Sequence, residues 1–338
     1  MEYRKLNSAG LSIPVLSFGT ATFGGGNDFF KSWGNTDVKE ATRLVDLCLE
    51  HGINFFDTAN VYSKGLSEEI LGAAIKGKRN KILLSTKSTF PMGDGPNDYS
   101  SSRHAIMKAC DESLRRLGTD HIDLYYMHGF DALTPVEETL RALDDLITAG
   151  KISYIGCSNF SGWHLMKSLS ASEKFGFSKY VTNQAYYSLV GREFEWELMP
   201  LGLDQKVSTI VWSPLAGGAL SGKITRKNPP TPGTRAAAKD FFISSKDERL
   251  YNIVDVLYQV AEEVGKTVPQ VALNWVLQRA TVTSIVIGAR NEKQLIENFG
   301  AVGWKLSADH IKKLDTVSAT KPIYPFWHQK QFPMLGHI

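Results

Sequence analysis

The chain has 338 residues, 43% of them hydrophobic and 22% charged, with a formal net charge of +3. This is the composition of an ordinary soluble protein with a large core. Its Lys and Arg are scattered, which excludes the basic stripe of a nucleic-acid or membrane-surface binder, and no apolar run approaches the roughly 20 residues that span a bilayer.

The opening residues Met1-Glu2-Tyr3-Arg4-Lys5 are followed by no uninterrupted apolar segment, so no secretory signal is expected. Cys48, Cys110 and Cys157 are odd in number and far apart, which argues against a disulfide framework and for a reducing cytoplasm. A hairpin is predicted over residues 3–6 and 11–13, turned at Asn7-Ser8-Ala9-Gly10. Pro14 then leads into the run Val15-Leu16-Ser17-Phe18, which breaks at Gly19-Thr20. From there short apolar runs alternate with helical patterns. Asp37 is a natural cap for a helix ending near His51-Gly52. Ser101 or Ser102 caps another that stops at Gly118, with Ile106, Ala109, Cys110, Leu114 and Leu117 on one face. Helix–strand units follow: 135–149 with 152–155, 163–175 with 180–182, and 193–203 with 209–212. Residues 247–264 and 268–279 read as helices, and 284–287 as the last strand.

Runs beginning at Val15, Ile53, Ile82, Ile122, Ile152, Val181, Thr209 and Ile285 make eight strand–helix units. Several are almost continuously apolar, as parallel strands covered on both faces must be. The fold class is therefore α/β, a single (β/α)8 barrel domain over residues 1–338 with an amino-terminal β-hairpin. Residues 24–36, 214–246 and 321–338 exceed simple connections; the first two follow strands and should overhang the carboxyl-end mouth.

At that mouth four polar side chains should gather. Asp57 and Tyr62 follow the run from Ile53, Lys87 follows Ile82-Leu83-Leu84, and His128 follows the run from Ile122. Singly each has a bland reading, as a helix cap, a packed ring or a core histidine; their joint placement at three strand ends favours chemistry. The segments carrying them are Asp57-Thr58-Ala59-Asn60-Val61-Tyr62, Ser85-Thr86-Lys87 and Tyr125-Tyr126-Met127-His128. With Gly156-Cys157-Ser158-Asn159-Phe160, Asn183-Gln184, Trp212-Ser213-Pro214-Leu215-Ala216-Gly217-Gly218 and Gly288-Ala289-Arg290, they resemble the aldo-keto reductases across nearly the whole chain.

Reducing a carbonyl with a hydride leaves an alkoxide, which needs a proton donor beside it. A free tyrosine, with a pKa of about 10, is a weak acid for that task. An ammonium about 5 Å away, at an effective dielectric near 20, favours the phenolate by roughly 3 kcal/mol, or about two pKa units, before burial pushes the value back up. Asp57 would neutralise and place Lys87, whose charge is costly to bury alone. The resemblance implies the same roles: Tyr62 as proton donor, Lys87 and Asp57 as its tuners, and His128 as the group that orients substrate.

No Gly-x-Gly-x-x-Gly follows the first strand, so a Rossmann site does not account for a nicotinamide. Gly217 to Lys223 imitates a phosphate loop, but Ile224 stands where Ser or Thr should bind magnesium. No zinc-site spacing of His and Cys occurs, so no metal is expected, and Cys157 reads as packing. The resemblance implies NADPH bound on the barrel. Ser158, Asn159 and Gln184 would hold the carboxamide, Trp212 would lie near the ring, Thr20 and Ala21 would border the nicotinamide ribose, and Asp57 would be a further cofactor contact. Ser213, Leu215, Gly217 and Lys223 would meet the pyrophosphate, with Arg235 on the long loop. Gly288 and Arg290, at the opening of the last barrel helix, would take the 2′-phosphate, with Gln294, Glu297 and Asn298 reaching adenine and ribose.

Phe23, Trp33, His128 and residues 324–327 would shape the entrance for a small carbonyl substrate, such as an aromatic or sugar aldehyde, pyridoxal or a polycyclic ketone. The competing reading is a non-catalytic nucleotide-sensing subunit like the potassium-channel β subunits; the complete set Asp57, Tyr62, Lys87 and His128 weighs against it. The substrate, the direction of the reaction and the choice between monomer and homo-oligomer stay open.

Overall fold

The computed structural model describes residues 1–25, 33–229, 242–244, 246–332 and 334. The chain opens with β1 (Tyr3–Lys5) and β2 (Ser12–Pro14), an antiparallel pair in which Tyr3 faces Pro14, as predicted. Eight parallel strands then close on themselves: β3 (Leu16–Gly19), β4 (Phe55–Asp57), β5 (Leu83–Ser88), β6 (Ile122–Met127), β7 (Ile152–Ser158), β8 (Thr182–Tyr186), β9 (Ser208–Trp212) and β10 (Val282–Ile287). Neighbours run in sequence order, and β10 pairs with both β9 and β3 to seal the barrel. The expected (β/α)8 barrel and its hairpin are thus what forms.

The helices are α1 (Val38–Glu50), α2 (Leu66–Ala74), α3 (Arg103–Leu117), α4 (Val136–Thr148), α5 (Gly162–Phe175), α6 (Leu198–Asp204), α7 (Glu248–Val264), α8 (Val268–Leu277), α9 (Glu292–Phe299), α10 (Ala308–Ser318) and α11 (Phe326–Gln329). Their starts follow from capping chemistry. The side chains of Asp37, Ser102, Ser161 and Ser307 accept the backbone N–H three residues on, satisfying donors that the first turn leaves orphaned. At the other end of α3, Gly118 adopts φ 63°, a left-handed turn that a Cβ would strain.

The hairpin plugs the amino-terminal end of the barrel. Leu6 and Ile13 pack with Phe55, Leu124, Tyr126 and Ile210, and Arg4 donates to the carbonyls of Leu277 and Val282. With that end stoppered by apolar side chains, only the carboxyl end is left open for polar chemistry. A buried ion pair braces this end from outside: Glu68 of α2 accepts from Arg116 of α3 at 2.6 Å and from Thr86 of β5 at 2.5 Å. Among the described residues no helix is long and apolar enough to cross a membrane.

The elements depart from the sequence reading in places. The helices α2, α10 and α11 are additional to those expected. The segment from Glu193 splits into a 3-10 turn and α6. The strand expected over residues 180–182 starts at Thr182 and runs to Tyr186, so Asn183 and Gln184 lie within it. The last barrel helix starts at Glu292, capped by Asn291, so Gly288, Ala289 and Arg290 precede it rather than open it.

Candidate active site

Strand alternation decides which side chains enter the barrel. On β5, Ser85 and Lys87 face inward, while Thr86 faces the helices and reaches Glu68. Lys87 is fully buried. Its ammonium donates to Asp57 Oδ2 at 2.5 Å, to the Thr58 carbonyl at 2.8 Å and to the Tyr62 hydroxyl at 3.3 Å. All its donors thus have oxygen partners, which is the condition for keeping an ammonium charged out of water. Asp57 is held from the other side, Oδ1 accepting from Ser85 Oγ at 2.8 Å and Gln184 Nε2 at 2.9 Å.

Tyr62 opens a tight 3-10 turn, Tyr62–Gly65, in which Ser63 and Lys64 take left-handed backbone conformations. That turn folds the chain back after β4 and brings the phenol over the ammonium, 5.0 Å from ring centre to Nζ. His128 follows β6 directly. Its ring meets Tyr62 edge-on at 5.8 Å and Phe90 at 4.6 Å. Its backbone is fixed on both sides, its N–H donating to the Ser88 carbonyl and its carbonyl accepting from Asn159 Nδ2. The four expected polar residues therefore do meet, at the open end of the barrel.

The electrostatics are set by burial first. Burial pushes the Tyr62 phenol up, the Lys87 charge and hydrogen bond pull it down, and Asp57 pushes it up again; the net is above the ordinary value. The expected acidifying effect of Lys87 is present but outweighed, because partial burial disfavours the charged phenolate more than the ammonium favours it. For Lys87 burial opposes the charge, but Asp57 and Tyr62 overcome it and its pKa is raised. Burial, then the neighbouring Lys87 charge, hold His128 well below the usual imidazole range, so it is neutral at pH 7.

The remaining expected residues divide. Ser158 closes β7 and is buried; Asn159 follows in a left-handed conformation with φ 59°, its Oδ1 accepting from Trp212 Nε1. Trp212 ends β9 half-buried, with Tyr186 at 5.2 Å and Phe242 at 6.1 Å. The turn after β9 contains Ser213, Leu215 and Gly217, and Ser213, Ala216, Gly217 and Gly218 all have positive φ. Thr20 is fully buried, its backbone N–H donating to the Asp57 carbonyl and its hydroxyl contacting Ser67; Ala21, next in the chain, is partly exposed. Lys223 is exposed. Gly288 is exposed, and the Arg290 N–H donates to Gln294 Oε1. Asn298 is buried, and Glu297 borders a cavity of about 540 Å³ with Ser221, Gly222 and Tyr258. Arg235 lies outside the described residues.

One entrance residue needs correction. Phe23 is fully buried against Phe18, 5.9 Å between rings, so it belongs to the core and shapes the entrance only from behind. The Trp33 carbonyl accepts from Arg290 Nε, which ties Trp33 to the residue expected at the 2′-phosphate. In the tail, Phe326 stacks on Trp196, while Tyr324 and Trp327 are exposed. Cys157 is buried beside Asn183, and burial pushes its thiol far up, as a packing residue requires.

Sequence reasoning missed three contributors: Ser85, the Thr58 carbonyl and Phe90. Ser85 carried a signal, since a serine two residues before Lys87 on a strand shares its face.

The Aldo/keto reductase family profile matches residues 15–319. The chain belongs to the aldo/keto reductase family. A Bacillus subtilis (strain 168) protein described as an uncharacterized oxidoreductase, YrpG, is 38% identical over 328 residues, covering 94% of this chain and 96% of that one. An Arabidopsis thaliana protein described as a probable voltage-gated potassium channel subunit beta is 35% identical, covering 96% of this chain and 99% of its own. A rice (Oryza sativa subsp. japonica) protein of the same description is 34% identical over 331 residues, or 95% of this chain and 98% of its own. Aldo/keto reductases are in general oxidoreductases that use nicotinamide cofactors.

Proposed function

We propose that the protein is an NADPH-dependent oxidoreductase of the cytoplasm that reduces a small aldehyde or ketone to the alcohol, and reversibly oxidises the alcohol. The observation that carries this reading is the buried Lys87 ammonium, held by Asp57 and touching the Tyr62 hydroxyl at 3.3 Å. A structural ion pair has no need of a phenol at an open mouth.

Bound NADPH would supply the hydride. Tyr62 donates the proton to the developing alkoxide, and the ammonium beside it stabilises the phenolate that remains. Neutral His128 stands against Tyr62, where it orients a carbonyl oxygen without competing as the acid. The chain's own groups fit a nicotinamide. The Asn159 and Gln184 amide nitrogens donate to the His128 carbonyl and to Asp57, and Asn159 Oδ1 accepts from Trp212 Nε1, so both amides are fixed at the open end, where they would hold a carboxamide. The turn from Ser213 to Gly218, with positive φ at Ser213, Ala216, Gly217 and Gly218, is where the backbone would meet a pyrophosphate. Gly288 and Arg290 would take the 2′-phosphate and Gln294, Glu297 and Asn298 the adenine and ribose; the exposed cationic side chain of Arg290 supports NADPH over NADH.

Tyr62→Phe tests the reading. Turnover of carbonyl substrates from a panel, followed by cofactor oxidation, should fall at least 10²-fold, while cofactor binding followed by fluorescence stays near the parent value. Parent-like turnover would remove Tyr62 from the mechanism. The two plant relatives favour a second reading, a regulatory subunit that senses the nucleotide. It gains if the parent binds NADPH tightly yet reduces no carbonyl in the panel.

A further inference from the structure

The four-residue set leaves unexplained why Asp57 presents a single oxygen to Lys87. A buried carboxylate facing an ammonium could equally straddle it, or turn and let the ammonium drift from the phenol. Here Oδ1 is occupied from two directions. Ser85 Oγ reaches it at 2.8 Å from the neighbouring strand, where Asp57 and Ser85 are direct partners in the β4–β5 register. Gln184 Nε2 reaches it at 2.9 Å from β8. Only Oδ2 is left for Lys87, at 2.5 Å. Ser85 and Lys87 are fully buried and Gln184 is 3% exposed, so water does not substitute readily for either donor.

We propose that Ser85 is a positioning residue of the proton donor: with the Gln184 amide it fixes one oxygen of Asp57, so that the other holds the Lys87 ammonium against the Tyr62 hydroxyl. The inference rests on the reading of Tyr62 as proton donor, and it adds a group that touches neither substrate nor cofactor.

The sign follows from hydrogen-bond chemistry. A donor on Oδ1 spreads the carboxylate charge, so Asp57 offsets less of the ammonium's field at Tyr62. Deleting the Ser85 hydroxyl concentrates negative charge toward Lys87 and frees the carboxylate to rotate. The ammonium then favours the phenolate less, and the phenol becomes harder to ionise. Gln184 remains on Oδ1, so the effect is partial: about half a pH unit upward, or roughly threefold in the ionisation constant.

The test compares the parent, S85A and S85T, with Y62F as reference. Two readouts are taken: the alkaline limb of kcat/KM for carbonyl reduction, and direct titration of Tyr62 by ¹³Cζ-tyrosine NMR with saturating NADP⁺, its signal assigned by its loss in Y62F. In S85A both should move upward by about half a unit, and S85T, which keeps the hydroxyl, should return both toward the parent. S85C, whose thiol is a weaker donor, should fall between parent and S85A, and serves if the extra methyl of S85T disturbs the barrel. An S85A titration superimposable on the parent's overturns the proposal. If Y62F keeps full turnover, the reading of Tyr62 as donor fails, while the NMR titration still decides whether Ser85 acts on that phenol.

Discussion

Replacing Lys87 by methionine removes the charge on which the site depends and keeps most of the side-chain volume. Two effects follow, and they separate. The first is on stability. Asp57 is left as a carboxylate 3% exposed, with Ser85 and Gln184 as its remaining donors. Breaking one side of a buried ion pair costs about 3–5 kcal/mol. The second is on acidity. A unit charge 3.3 Å from the phenol oxygen is worth at most about 5 kcal/mol at an effective dielectric of 20, a ceiling of between three and four pKa units. Turnover should therefore fall at least 10²-fold. Asp57→Asn in the same chain removes the second charge and keeps an oxygen for Ser85 and Gln184. The double variant should regain most of the lost stability in urea or thermal unfolding, yet none of the turnover. The reasoning fails if the two substitutions add in stability, because additivity would mean that the charges do not meet. It also fails if Lys87→Met turns over carbonyls at more than a tenth of the parent rate.

Three further predictions follow from the geometry. His128 resists protonation in the folded protein but not in the unfolded chain, whose imidazole titrates near 6.5. Unfolding therefore takes up a proton, and stability should fall as pH drops below about 6.5, by up to about 1.4 kcal/mol per pH unit; His128→Gln should flatten that slope in denaturant titrations between pH 5 and 7. Glu68→Ala removes the buried partner of the Arg116 guanidinium, which is 7% exposed and keeps Glu112 at 3.6 Å and the Ser113 hydroxyl; it should cost up to about 3–5 kcal/mol in the same assay, whereas exposed pairs such as Lys179–Glu173 should cost under about 1 kcal/mol. Arg290→Ala should raise the Kd for NADPH roughly tenfold or more with little change for NADH; equal losses would place the guanidinium on a part common to both cofactors.

Much of this was legible because the barrel alternates so regularly. Asp57, Lys87 and His128 each stand at or just beyond the end of an apolar run, and in a parallel barrel the end of such a run lies at the mouth. The reading failed where polarity enters the strands themselves. Asn183 and Gln184 look like the end of a strand, yet β8 continues through them because the upper barrel interior is a polar layer around Asp57. Asn291, followed three residues on by Gln294, carried a cap signal that would have moved the start of α9 to where it lies. Phe23 shows the opposite limit. Its neighbours suggest a loop at the mouth, and only the Phe18–Phe56 packing shows that the ring turns inward. The net acidity of Tyr62 was out of reach as well. Sequence proximity supplies the sign of the lysine's effect, but the weight of burial against it depends on how the left-handed turn at Ser63 and Lys64 folds the ring down.

One buried charge organises the proton chemistry of the whole site. The Lys87 ammonium lowers the phenol's pKa relative to burial alone and, from the same position, depresses the imidazole's. Both groups could in principle deliver a proton to an alkoxide, and a histidine with an ordinary pKa would be the stronger acid. Its protonated form is suppressed here, so at neutral pH His128 has only its neutral N–H to offer, and Tyr62 is the acid that starts protonated. Reduction, which begins from the phenol, should then be flat through neutral pH and fall on the alkaline side. Oxidation of the alcohol, which begins from the phenolate, should rise over that same alkaline range. The two profiles must cross through a single ionisation, and Tyr62→Phe must abolish both limbs together; a limb that survives the substitution would belong to another group.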